Sequence, residues 1–93
     1  MPVKEKTVLK IFIKKQWFDE IISKQKTIEY RDVSPFWISR LYDTERKKRN
    51  YDQIEFINGM QTNARRVITN YEGVKKKGDM FLIGIGRILK KNF

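Results

Sequence analysis

The sequence predicts a small α+β domain: a barrel-like sheet of about five strands, closed or nearly closed, with two short helices in the N-terminal half. Three observations carry this. Five stretches alternate apolar and polar residues with the period of two that a half-buried strand shows. Apolar residues recur at helical spacing only after the first and after the second of these stretches. The most apolar strand, MFLIGIGRILK, carries Gly84 and Gly86 on one face, where glycine suggests strong curvature or close approach of another backbone. At 93 residues, with 40% apolar content and no repeat, linker or low-complexity tract, the chain reads as one domain over 1–93.

Taken in order, VLKIFIKK (Val8–Lys15) sets Leu9, Ile11 and Ile13 on one face and is the first strand. KQWFDEIISK (Lys15–Lys24) changes period, with Trp17, Phe18, Ile21 and Ile22 at helical spacings, and is a short amphipathic helix. KTIEYRD resumes alternation, with Ile28 and Tyr30 on one face and Thr27, Glu29 and Arg31 on the other. Ser34-Pro35 starts a second helix, Ser as cap and Pro at the first helical position, followed by FWISRLYD. DTERKKRN (Asp43–Asn50) is an exposed loop or helix extension. YDQIEFING is the third strand and ends in an Asn58-Gly59 turn; ARRVITNYE (Ala64–Glu72) is the fourth. The stretch Gly73–Asp79 is a basic connection, and Met80–Lys90 is the last strand, with Phe81, Ile83, Ile85 and Leu89 on its core face.

Composition excludes several chemistries. The chain has no Cys and no His, which removes disulfides, thiolate zinc sites, Ser-His and Cys-His nucleophiles and imidazole acid–base work; no metal or cofactor is expected. The formal net charge is +10 and the later half is the more basic, eleven Lys and Arg against four acidic residues over 47–93. Such an excess, with 13% aromatic content, points to a polyanionic partner such as nucleic acid or a nucleotide. The N-terminal MPVKEKTVLK lacks the apolar core of a leader and no apolar run is long enough to span a bilayer, so a cytoplasmic location without membrane contact is expected.

In a strand Glu29 and Arg31 lie about 7 Å apart on one face. A carboxylate and a guanidinium so placed can share a ligand; an in-strand ion pair on a wet surface, worth about 0–1 kcal/mol, has the same pattern. Beyond this strand, Trp37 is the aromatic assigned to a cleft as a stacking surface and Phe36 is assigned to the core. Asn58 is a candidate ligand contact or turn residue, and of Arg65 and Arg66 at most one enters a given site, since strand neighbours face opposite ways. The basic clusters 46–49, 75–77 and 90–91 are candidate phosphate contacts or solvated loops.

An amphipathic helix followed by K-x-x-E-x-R, with Lys26, Glu29 and Arg31 at those positions, resembles the signature of the ASCH domain family within the PUA-like superfamily. The resemblance implies a small PUA-like β-barrel that binds RNA or a nucleotide-like ligand in a cleft on Lys26, Thr27, Glu29 and Arg31. Lys24 departs from the pattern, standing where the family commonly has Gly. Some ASCH-like proteins are amidohydrolases on N-acetylated cytidine, using a Lys, a Thr and a Glu. Lys26 matches that Lys, but Glu29 occupies the Thr position, so the nucleophile is absent from its expected place. Binding is therefore the first expectation. A metal-independent hydrolase of a modified nucleoside or of RNA, with Lys26 and Glu29 catalytic, is the alternative, and a protein-interaction module is the third class.

Overall fold

The computed structural model describes residues 6–93. The leader reading falls partly on 1–5, outside the described residues. Strand β1 (Val8–Phe12), helix α1 (Lys15–Ile22), β2 (Ile28–Asp32), helix α2 (Pro35–Leu41), β3 (Gln53–Asn58), β4 (Arg65–Lys77) and β5 (Met80–Asn92) follow in chain order. The strands form one curled sheet in the order β1-β3-β4-β5-β2, parallel between β1 and β3 and antiparallel elsewhere. This is a half-barrel: β1 and β2 are its two edges and a cleft separates them, so the sheet curls as expected but does not close.

The concave face holds the core, with Leu9, Ile11, Ile54, Phe56, Val67, Phe81 and Ile83 from the sheet and Phe18, Ile21 and Leu41 from the helices. Helix α2 starts as expected: the Ser34 hydroxyl accepts from the Trp37 amide at 3.3 Å and Pro35 takes the first helical position. Phe36, however, is 55% exposed and stacks under the Arg40 guanidinium at 4.4 Å. Trp37 and Leu41 lie four apart on the helix, and that spacing turns their side toward the core and Phe36 away.

Two differences from the sequence reading concern the β4–β5 hairpin. The stretch 73–77 is strand, and the turn is Gly78-Asp79 alone, with Gly78 at φ 63°. Backbone ladder bonds hold Lys75, Lys76 and Lys77 against Leu82, Phe81 and Met80 whatever their side chains. Further along, Thr69 pairs with Ile88 and Tyr71 with Ile85, so β5 spends three residue steps where β4 spends two. That bulge reverses the facing of the residues beyond it: Ile88 packs on the core and Leu89 is 43% exposed. The close approach expected at the glycines is present, since a Cβ on Gly84 would lie 2.8 Å from the Glu72 Cβ.

Tyr71 lies beside this bulge with its ring edge-on to Tyr51 and its hydroxyl buried without a hydrogen-bond partner among the described residues. Burial first, then the neighbouring Tyr51 and Tyr42, push its pKa from 10.0 up to about 12. The fold holds the neutral phenol. Its contribution to stability is therefore intact below pH 10.0 and is lost as pH rises toward about 12. Tyr71→Phe should flatten the alkaline loss while leaving neutral-pH stability unchanged or higher, because no hydrogen bond is broken. Urea midpoints of both proteins at pH 7 and about pH 11 test this; a parallel fall would assign the alkaline loss to other groups.

Candidate functional site

The helix-to-strand junction places the first site residue. Lys24 has φ 67°, the left-handed conformation that Gly adopts at least cost. Its amide donates to the Ile21 carbonyl at 3.0 Å, and the Gln25 amide donates to Glu20 at 2.9 Å, the bonding of a Schellman C-cap. The Lys26 amide also donates to Glu20, at 3.1 Å, which fixes where its side chain departs. The turn thus keeps the conformation a Gly would take and carries the strain in Lys24. Lys24→Gly should raise the unfolding free energy by about 0.5–1 kcal/mol, part of the left-handed penalty being offset by the entropy of an unfolded Gly. Calorimetry should show Tm rising by roughly 2–8 °C; a fall would mean that Lys24 is unstrained.

From that junction β2 runs antiparallel to β5, with Glu29 opposite Ile83 and Arg31 opposite Phe81. Cross-strand partners share a face, so Glu29 and Arg31 point into the concave side with the core. Tyr30 points outward and is 53% exposed. Glu29 is only 5% exposed, a carboxylate buried on the inner face of the sheet. Lys26 Nζ reaches its Oε1 at 3.2 Å, and Arg31 reaches Oε2 through Nη2 at 2.6 Å and Nε at 2.8 Å. Arg31 Nη2 also donates to the Phe12 carbonyl of β1 at 3.0 Å, so one side chain crosses the open seam of the half-barrel.

Aromatic rings flank both cations. The Lys26 ammonium lies 5.2 Å from the Trp17 ring centroid and 5.5 Å from that of Tyr30, and the Arg31 guanidinium lies 5.0 Å from that of Trp37. The cleft around them has a volume of about 1060 Å³ and is lined by Lys26, Thr27, Glu29, Arg31, Trp37 and Asn58, with Phe12, Trp17, Tyr30 and Met60 as its exposed apolar residues. Its charged lining is balanced: Lys14, Lys26 and Arg31 face Glu20, Glu29 and Asp32. The chain's excess of +10 is therefore displayed elsewhere.

Six of the eight proposed contacts thus meet in one cleft, and two do not. Asn58 lines it, but its amide is engaged: Nδ2 donates to the Ile13 carbonyl at 3.1 Å and Oδ1 accepts from Arg65 at 2.9 Å. Arg65 lies apart, over the Phe18 ring at 4.5 Å and bonded to Asp19 at 3.1 Å. The Lys15 hydrogen bond, with that of Arg65, holds the Asp19 carboxyl below its usual value. Arg66 faces away and pairs with Glu55 at 3.3 Å. Both arginines are thus structural contacts outside the cleft.

Trp17 is a cleft aromatic that sequence reasoning missed. The available signal was that α1 has one large apolar residue more than its buried stripe requires: Phe18 and Ile21 fill the core and Trp17 is 41% exposed.

Searches against protein-family models, curated proteins and solved structures found no match to this chain.

Proposed function

We propose that this chain is a PUA-like domain of the ASCH type that binds RNA or a nucleotide-like ligand in the cleft between β1 and β2. The observation that carries the reading is the buried Glu29, gripped by Lys26 and Arg31, with three aromatic rings flanking those two cations. Burying an ion cluster rarely stabilises a fold more than apolar residues of the same volume would, so its presence calls for another explanation. Glu29 offers acceptor oxygens, Arg31 and Lys26 offer donors, and Trp17, Tyr30 and Trp37 offer ring faces. A nucleobase presents the complementary set: donor and acceptor groups on its edge and a π-face for stacking.

Isothermal titration with single-stranded RNA and with mononucleotides tests the reading. Binding should be lost in the Glu29→Ala/Arg31→Ala double variant, and RNA binding should weaken as salt rises. Retention of binding by that variant, in folded protein, would exclude the cleft. Turnover of N-acetylated cytidine that disappears in Lys26→Ala would replace binding by hydrolysis as the function of the same residues.

A further inference from the structure

We propose that the ligand is a single-stranded polynucleotide whose chain leaves the cleft at Tyr30 and crosses the outer face of β5 to Lys75 and Lys77. This rests on the reading of the cleft as a base-binding site and adds the path of the phosphodiester backbone. The balanced charge of the cleft lining supplies little net attraction for a backbone, so phosphates must be met elsewhere.

The ladder shows where. Tyr30 pairs with Leu82, and Leu82 pairs with Lys75. One row along, Asp32 pairs with Met80, and Met80 with Lys77. Cross-strand partners share a face, so both lysines stand on the outer side with the exposed Tyr30 ring. Two strand spacings separate Tyr30 from Lys75, about 10 Å, the rise of about three stacked nucleotides.

Neither lysine pairs with a carboxylate among the described residues. Asp32 shares the row of Lys77, and Asp79 sits in the turn beyond it. Between ring and ammonium groups lie Leu82 and Met80, whose apolar surface suits ribose and base edges rather than phosphate. An exposed ring beside the cleft, an apolar middle and two free cations beyond match, in order, a base, the sugars and the phosphates of the outgoing strand.

The test compares an oligoribonucleotide of about eight residues, within the span a small single-strand binding domain covers, with the corresponding mononucleotide. Wild-type protein should bind the oligonucleotide more tightly and with a steeper salt dependence. Lys75→Gln/Lys77→Gln should weaken the oligonucleotide about tenfold and reduce its salt slope by about 1.4, at about 0.7 for each phosphate released, while leaving the mononucleotide unchanged. Lys90→Gln/Lys91→Gln, which removes equal charge at the other end of the hairpin, should lose far less. Equal losses in the two double variants, or equal binding of oligonucleotide and mononucleotide by wild type, would overturn the path and leave the cleft reading standing. Absence of binding to either ligand would overturn both.

Discussion

Glu29→Ala should lower the unfolding free energy by about 2–4 kcal/mol, the largest loss expected from any single truncation on β2. The carboxylate is 5% exposed, and it is the shared partner of Lys26 and Arg31. Removing it strands two cations at the base of the cleft, and leaving buried charge uncompensated costs about 3–5 kcal/mol where burial is complete. The Arg31 side chain retains 27% exposure and Lys26 12%, so water recovers part of that loss. Chemical denaturation should show a lower midpoint with an unchanged slope. A loss below about 1 kcal/mol would place Glu29 among ordinary surface ion pairs. Glu29→Gln should fall between, since the amide oxygen still accepts a hydrogen bond but the charge is gone.

On the proposed reading of the cleft as an RNA site, Arg31→Lys should be nearly as disruptive as Arg31→Ala, with affinity for RNA falling about 10- to 100-fold. Arg31 uses Nε and Nη2 together on Glu29, sends Nη2 on to the Phe12 carbonyl and lays its planar group against Trp37. An ammonium is a point donor and cannot reproduce a fork, a bridge and a stacked plane at once. These bonds are internal, so their loss acts on the ligand by misplacing the cation, and each 1.4 kcal/mol of binding energy lost in that way is a factor of ten in affinity. Fluorescence anisotropy with labelled RNA reads the effect. Wild-type affinity in Arg31→Lys would show that charge alone matters at this position.

How much of this was legible in the sequence differs from element to element. Strands β1 and β3 and the start of α2 were readable because their signals are local: alternation over five or six residues, and a Ser-Pro pair. The shared face of Glu29 and Arg31 was readable for the same reason. Which way that face points was not, because alternation alone would send Ile28 and Tyr30 inward. The pairing with β5 decides it by placing Glu29 opposite Ile83. The lysines at 75–77 looked like a loop because exposed side chains on both faces erase the period of two, while the backbone goes on making its ladder. Leu89 was misplaced by a single inserted residue, which a pattern read along one strand cannot register. Arg65 and Arg66 depend on contacts with Asp19 and Glu55, formed only after distant segments pack.

The bond from Arg31 to the Phe12 carbonyl gives the domain a latch. The two free edges of the sheet belong to segments nineteen residues apart in sequence at that contact, and one guanidinium nitrogen joins them. On the proposed reading of the cleft, a ligand that draws this nitrogen toward itself frees the Phe12 carbonyl at the end of β1, while the ladder to β3 still holds the strand in the sheet. The linkage runs both ways: whatever grips the edge of β1 and holds the latch shut must weaken the ligand by the same factor by which the ligand weakens that grip.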